Sequence, residues 1–288
     1  MHQHLAAAHE QQYANIKLQY PEEGRRKRIL HVLAHLWGSL AATPTSESLG
    51  SNGPFSTSTT TIHDFDPMDH LLDDEELGVV IRTDYSNEDA WSNFVKKLQR
   101  AEVEFVESTQ EPEADTEGTD EVVATNDRMA IDPSSADSDD SSDEMSIIKI
   151  IDPTTPEERG ILHDISNLTA LRLLNDVDIR PSPDRPPGTK PISPPNPLVD
   201  QGGWQEIYFG KNIWIYDSRS NLDECVRVIS QAGDIYGTAT GDSWRARVTH
   251  ICELQFHMSR LGLKVDFGGL DRWDYGERQR NLKEAAII

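Results

Sequence analysis

Cysteine, basic side chains and long apolar runs are scarce in this 288-residue chain, and each scarcity excludes a class of protein. Two cysteines, Cys225 and Cys252, cannot form a disulfide framework, which favours a reducing intracellular compartment. Since no run of about 18 apolar residues occurs, the sequence predicts no membrane-spanning helix. The 27 lysines and arginines are outnumbered by 50 aspartates and glutamates. This balance argues against direct nucleic-acid binding, which needs clustered cations.

Hydrophobic residues are also few, at 36% of the chain, and they are unevenly distributed. Residues 107–144 contain fourteen carboxylates, one base (Arg128) and no aromatic side chain. Such a segment repels itself and cannot bury enough apolar surface to offset the entropy lost on ordering. Residues 43–61 are rich in Ser and Thr, and residues 181–197 are rich in Pro. We therefore predict one modest domain with long disordered acidic and Pro-rich inserts.

Apolar periodicity predicts an α+β fold, a single small mixed sheet flanked by helices. The predicted strands lie at residues 77–82, 103–106, 146–151, 205–209, 212–216 and 263–267, the fourth and fifth forming a hairpin across Gly210-Lys211. The predicted helices lie at residues 28–40, 87–101, 167–175, 221–231 and 243–261, with a further helical stretch in the tail.

These elements divide the chain into eight segments, which alternate between linkers and parts of one domain. They are a basic N-terminal extension (1–41), a Ser/Thr-rich linker (42–70), a first part of the domain (71–106), the acidic insert (107–145), a second part (146–180), a Pro-rich linker (181–200), a third part (201–270) and a C-terminal tail (271–288).

Residues 77–91 read LGVVIRTDYSNEDAW, an apolar strand followed by a polar turn and the start of a helix. This pattern resembles the opening of a microbial family of small α+β domains of unknown function. The matching residues are Arg82, Thr83, Asp84, Tyr85, Ser86, Ala90 and Trp91. The resemblance is looser over residues 147–178 and over the helix predicted at 243–261. It implies a compact α+β fold and no established activity, with the acidic insert and basic extension as regulatory additions.

A loop rich in Gly and Thr, residues 237–243, precedes the longest predicted helix. Backbone N–H groups at a helix start can bind anions, which makes Gly241, Ser243 and Arg245 candidate anion ligands. Asp242 would repel an anion, and the loop lacks the Lys-Ser/Thr ending of a P-loop. Ordinary helix capping is the alternative interpretation.

His250, Glu253 and His257 occupy positions i, i+3 and i+7 of the same predicted helix. Two imidazoles and a carboxylate on one face are weak candidates for metal ligands. Their spacing differs from that of His-Glu-x-x-His enzymes, and a solvated polar face explains them equally. We predict no metal and no cofactor.

A basic cluster directly precedes the first predicted helix and consists of Arg25, Arg26, Lys27 and Arg28. It is a candidate nuclear-import signal, the start of a membrane-surface helix, or the solvated flank of a helix that packs on the protein's own core. Acidic residues at Glu10, Glu22 and Glu23 argue against an organelle presequence, and the polar first twelve residues argue against a secretory leader.

The acidic insert contains two candidate phosphorylation sites, because Ser134 and Ser141 each have an acidic residue three positions later. Acid-directed kinases favour this context, although a Ser-rich acidic tether produces it by composition alone. The insert itself is interpreted as a solubilising tether, a nucleic-acid mimic or a binding segment for a basic protein.

No catalytic signature stands above background, so we expect a non-enzymatic regulatory or protein-interaction protein of the cytoplasm or nucleus. Its partners are expected to be proteins, possibly basic. The alternative is a small-molecule or anion-binding domain, possibly hydrolytic, that uses the loop at 237–243 and the face of His250, Glu253 and His257. Arg82 and Asp84, at a strand's carboxyl end, either line a pocket or form a structural ion pair.

Overall fold

The computed structural model describes residues 3–42, 64–72, 76–109, 146–184, 187–188, 194–265, 267 and 274–287. Their helices are α1 (Gln3–Gln19), α2 (Arg25–Ala42), α3 (Glu88–Thr109), α4 (Pro156–Leu162), α5 (Asn167–Leu174), α6 (Ser220–Asp223), α7 (Ile251–Arg260) and α8 (Tyr275–Glu284). Their strands are β1 (Gly78–Arg82), β2 (Ile148–Ile151), β3 (Asp176–Pro181), β4 (Trp204–Phe209), β5 (Asn212–Tyr216), β6 (Cys225–Ile229) and β7 (Ser243–Arg247). The predicted α+β class is confirmed.

The main sheet has five strands in the order β2-β1-β5-β6-β7. β1 runs parallel to both neighbours, with Gly78 opposite Ile148 on one side and Asn212 on the other. β6 lies between β5 and β7 and is antiparallel to both, and β3 and β4 form a separate antiparallel pair. Because β1 and β2 are neighbours, the chain on both sides of the acidic insert belongs to one sheet.

Two apolar cores lie on the two faces of this sheet, because consecutive side chains of a strand point to opposite faces. In β1, Val79 and Ile81 enter the first core and Val80 enters the second. The first core is closed by α1, α2, α5 and the small sheet, and the second by α3 and α7. All of β1 is therefore buried, as expected for an inner parallel strand with both faces covered.

Helix α3 follows β1 with an amphipathic pattern that places Trp91, Phe94 and Leu98 in the second core. Asn87 caps it, since its Oδ1 accepts a hydrogen bond from the backbone N–H of Ala90 at 3.0 Å. The helix is longer than predicted and includes residues 103–106, which were wrongly expected to form a strand. Helical periodicity persists there.

The two strands predicted as a hairpin are present, but they do not pair with each other. β4 pairs with β3, whereas β5 pairs with β1 and β6. Gly210, with φ of +144°, lies between them in a conformation that favours glycine. Ile213, Trp214 and Ile215 are fully buried. A strand that is apolar on both faces buries more surface inside the main sheet than in a hairpin. This is why β5 pairs with β1 and β6, and why the predicted hairpin was wrong.

Two of the predicted helices contain strands. Residues 221–231 include β6, because α6 ends at Asp223 and Glu224 turns the chain with φ of +53°. Residues 243–261 begin with β7 and a 3-10 turn, Val248–His250, so that only α7 is α-helical. Both strands are five residues long, and over such a length apolar side chains fit either period.

One terminal helix was expected and the other was not. α1 was not predicted, whereas the helical stretch expected in the tail is present as α8, in which Glu277 and Asn281 are buried. Residues 263–265, predicted as the start of a strand, have no regular structure. Most of the Ser/Thr-rich linker, most of the acidic insert and part of the Pro-rich linker lie outside the described residues.

Candidate functional site

The loop at residues 237–243 uses its backbone groups within the fold. The N–H of Thr240 donates to the carbonyl of Leu198 and that of Gly241 to the carbonyl of Ser230, each at 2.9 Å. The N–H of Ala239 donates to Oδ2 of Asp242 at 2.7 Å. The loop enters a strand rather than a helix, so the expected helix start is absent from this position.

Arg245 points away from this loop, toward carboxylates beyond the end of β5. Its guanidinium lies 2.7 Å from Oδ2 of Asp217 and 3.1 Å from Oδ1 of Asp223. Gly241 and Ser243 are buried, and the structure does not bring them together with Arg245 around one point. The predicted anion site therefore has no geometric basis in this loop.

Asp242, expected to repel an anion, is buried and forms an ion pair with Arg278 of α8 at 3.0 Å. Burial raises the pKa of Asp242 to about 6, since it outweighs both the guanidinium of Arg278 and the hydrogen bond from Ala239. This carboxyl is a structural link between the loop and α8.

The candidate metal face is only partly assembled. Nδ1 of His250 lies 3.8 Å from Oε2 of Glu253, and both side chains are more than half exposed. His257 instead packs edge-on against the ring of Phe256. Within the described part of the chain, no group of three His, Cys, Asp or Glu side chains is placed to hold a metal ion.

The basic cluster forms the first turn of α2, which packs on the protein's own core, but the cluster is not the solvated flank that was expected, because Arg26 and Arg28 are buried. Arg26 forms ion pairs with Asp66 at 3.0 Å and Asp69 at 2.7 Å. Arg28 donates to the carbonyls of Tyr20 and Pro21, and Arg25 lies 3.1 Å from Asp176. Lys27 is the one member of the cluster with a mainly exposed side chain. The candidate phosphorylation sites, Ser134 and Ser141, lie outside the described residues.

Charged and aromatic side chains gather where the parallel strands β2, β1 and β5 end. In parallel sheets, ligands bind outside this edge. We call the group the strand-end cluster; its members are Arg82, Asp84, Tyr85, Glu88, Trp91, Asp152, Arg159 and His163. It contains four of the residues that carry the family resemblance.

Arg82, the last residue of β1, is fully buried between two aromatic rings. Its Cζ atom lies 5.1 Å from the ring centroid of Tyr85 and 5.0 Å from that of Trp91. Nη1 donates to Glu88 at 2.9 Å and lies 3.4 Å from Asp152. Nε donates to the backbone carbonyl of Asp84, so the ion pairs of Arg82 are with Glu88 and Asp152 rather than with Asp84.

Tyr85 is the centre of a second group of contacts in the cluster. Cζ of Arg159 lies 5.1 Å from its ring centroid, and the ring of His163 stacks at 6.2 Å. The Tyr85 hydroxyl donates to the carbonyl of Arg82 at 2.9 Å. Burial, and then the charge of Asp152, raise the pKa of Tyr85 to about 12, so the phenol remains protonated at neutral pH.

Asp84 joins the loop after β1 to the loop after β5. Its Oδ2 accepts from Ser86 at 2.6 Å and from Nδ2 of Asn221 at 2.7 Å. Burial alone would raise the pKa of Asp84, but these hydrogen bonds hold it below its usual value. The carboxylate is charged at neutral pH.

Sequence analysis placed Arg82 and Asp84 at a strand end and named Tyr85 and Trp91 only through the family resemblance, but it missed Glu88, Asp152, Arg159 and His163. Asp152, Arg159 and His163 follow β2 and reach the site only because β2 lies beside β1. The available signal was that an acidic residue directly followed a second buried strand, and parallel pairing would have placed both strand ends together.

A second surface feature is a wide groove between the segment after β6 and the end of α7, with a volume of about 1020 Å³. Ile235 and Tyr236 line it and are 51% and 74% exposed, and Leu263 lines it at 44%. We call this feature the apolar groove; its lining also includes Arg180, Asn212, Met258, Val265 and Phe267. Large apolar side chains that gather at a surface mark interaction sites.

Comparison with known proteins supplies no relative. No family model matches the chain, and no curated protein or solved structure matches it. The resemblance at residues 79–91 therefore remains a prediction. None of the helices among the described residues is both long and apolar enough to cross a membrane.

Proposed function

We propose that this chain is a non-enzymatic interaction protein of the cytoplasm or nucleus, which binds a basic segment of a partner protein in the apolar groove. The observation that carries the proposal is the exposure of Ile235, Tyr236 and Leu263 around one concavity. Covering these side chains would remove apolar surface from water, at roughly 25 cal/mol per Å². Leu261, 69% exposed, directly precedes the groove residues after α7 and extends the apolar surface.

The location of the acidic insert supports a basic partner. The insert begins in the last turn of α3, and the ring of Phe105 in α3 lies 5.4 Å from that of Phe256 in α7, two residues before the groove residue Met258. It ends just before Ile148, which is opposite Gly78, and Gly78 is opposite the groove residue Asn212. Both attachment points therefore lie on the side of the sheet where the groove opens.

In this proposal the apolar groove and the acidic insert bind different parts of the partner. Apolar side chains of the partner would fill the groove, and its lysines and arginines would be attracted by an insert that carries most of the chain's net charge of −23. Such long-range attraction increases association rates and weakens with salt. Phosphorylation of Ser134 or Ser141 would add about −1.5 to −2 charges at each site and strengthen the attraction.

The proposal is tested with a photo-cross-linking amino acid placed at Tyr236 in cells. The control position is Leu222, which is 88% exposed and follows the opposite end of β5. We expect a discrete cross-linked species from position 236 that is missing from position 222. Its yield should fall when Leu263 is changed to Glu, or when the carboxylates of residues 111–144 become amides.

The cross-linked partner is then purified, and its affinity for the full chain is measured at two salt concentrations. Micromolar or tighter binding that weakens with salt and with Leu263→Glu supports the proposal. Equal cross-linking from positions 236 and 222, or affinity unchanged by both the Leu263 and the amide variants, would overturn it.

A further inference from the structure

The guanidinium of Arg82 has one nitrogen without a partner. Nε and Nη1 are engaged, but Nη2 is buried and makes no hydrogen bond to any described residue. Leaving a buried charged donor unsatisfied is costly, and native structures rarely do so without a reason. Arg82 lies at the edge where parallel sheets bind ligands, so a ligand bound there would satisfy this free donor.

Glu88 forms an ion pair with Arg82 that the carboxylate of a ligand can replace. Its side chain is 64% exposed and contacts only Nη1, at 2.9 Å, so it uses one of the two parallel donors of the guanidinium. Exposed ion pairs of this kind are weak. Asp152 is held more firmly, because its Oδ2 also accepts the indole N–H of Trp91 at 2.8 Å. If Glu88 rotates into solvent, the N–H of Nη1 that it occupied becomes available beside Nη2, while Asp152 keeps its 3.4 Å contact with Nη1.

Arg159 adds a second positive charge beside the Tyr85 ring. Arg159 stacks on Tyr85 and uses Nε for the carbonyl of Pro153, at 2.9 Å. No described residue contacts its terminal nitrogens within hydrogen-bonding distance. With Glu88 rotated away, Arg82 and Arg159 balance the carboxylates of Asp152 and Asp84, so the cluster loses its net negative charge and Arg159 supplies the positive charge beside the Tyr85 ring.

We propose that the strand-end cluster binds a small molecule through its carboxylate, with Arg82 as a bidentate anchor and Glu88 as an internal carboxylate that the ligand displaces. The planar fork of an arginine matches a carboxylate in two parallel N–H···O bonds. The Tyr85 and Trp91 rings fix the guanidinium plane, so little side-chain entropy is lost on binding. The proposal is independent of the apolar groove, which lies toward the opposite ends of the same strands.

The test is a titration of the full chain with sodium acetate, with sodium chloride as the ionic-strength control, followed by NMR. The reporter is the indole N–H signal of Trp91, assigned by its loss in Trp91→Phe. We expect acetate to shift this signal saturably. Glu88→Gln should tighten binding by about two- to fivefold, because it removes a weak competitor. Arg159→Gln should weaken binding several-fold.

Asp89→Asn is the matched control, since Asp89 is the adjacent exposed carboxylate of α3 and the substitution changes the charge by the same amount. It should leave the acetate affinity unchanged within twofold. Equal effects of Glu88→Gln and Asp89→Asn would show general electrostatics and overturn the site. A linear, unsaturable shift with acetate would overturn it as well, as would saturable binding of inorganic phosphate but not of acetate.

Discussion

Trp91 donates its indole N–H to Asp152 at 2.8 Å, although the two residues are 61 positions apart. Trp91 lies in α3, before the acidic insert, and Asp152 directly follows β2, after it. The bond therefore joins the two sides of the insert at the carboxyl edge of the sheet. Since Asp152 also pairs with Arg82, one carboxylate links β1, β2 and α3.

Removal of residues 112–143 should leave the domain folded. Oε1 of Glu102 accepts the N–H groups of Ile147 and Ile148, so α3 already lies against the start of β2. Thr109 is about 10 Å further along α3, and the six remaining linker residues span up to about 20 Å. Loop length itself has little effect, about 0.6 kcal/mol per doubling.

Chemical denaturation followed by tryptophan fluorescence checks this deletion. We expect one cooperative transition, with a free energy of unfolding within about 1 kcal/mol of that of the full chain. A broad or absent transition would show that the insert takes part in the core.

The two carboxylates that contact Arg82 should differ in their effect on stability. Asp152→Ala removes a partner from a buried guanidinium and from the Trp91 indole, which we expect to lower the free energy of unfolding by about 2–4 kcal/mol. Glu88→Ala removes an exposed partner and should lower the free energy of unfolding much less than Asp152→Ala does. Urea denaturation of both variants measures the difference, and equal losses would contradict the assignment.

The buried carboxyl of Asp242 should make stability depend on pH between about 4 and 6. Its folded pKa is raised from 3.8 to about 6, so the folded state favours the protonated form. The resulting stabilisation is complete below pH 3.8 and is lost as pH rises through 6. A shift of about two pKa units corresponds to about 3 kcal/mol at most.

Asp242→Asn should remove this loss, so the difference in unfolding free energy between variant and wild type should change by up to about 3 kcal/mol from pH 4 to pH 7. Thermal and urea denaturation across this range measure it. Asp89→Asn, an exposed carboxylate, is the control and should follow the wild-type curve. Parallel curves for wild type and Asp242→Asn would show that Asp242 has an ordinary pKa.

Within the basic cluster, Arg26 and Lys27 should behave in opposite ways. Arg26→Ala leaves Asp66 buried without its charge partner and should cost about 3–5 kcal/mol. Lys27→Ala removes an exposed contact with Glu23 and should cost less than about 1 kcal/mol. Differential scanning calorimetry of the two variants measures the loss of stability in each. Stability of Arg26→Ala within 1 kcal/mol of wild type would show that the arginine is solvated.

The same contrast bears on nuclear import through this cluster. A variant with all four residues changed to Ala would lose stability as well as charge, so its distribution would be difficult to interpret. Import that depends on Arg26 and Arg28 requires α2 to leave the first core.

By itself the sequence determined those elements whose apolar pattern fits only one type of secondary structure. The continuous run in β1 and the repeated isoleucines of β2 predict buried strands, and the stripes of α2, α3 and α5 predict helices close to their observed positions. It also placed Arg82 at the carboxyl end of a strand. Each of these conclusions depends on local periodicity and on residues adjacent in the chain.

Only the tertiary structure decided which strands pair and which side chains meet. β6 and β7 are strands because their backbone hydrogen bonds are made to each other and to β5, and no residue within either segment reports those partners. For the same reason, Asp152 and Arg159 belong to the site of Arg82 only through the pairing of β2 with β1. Long-range hydrogen bonds and shared burial select among local conformations of similar free energy. No single segment of the chain contains the residues that make this selection.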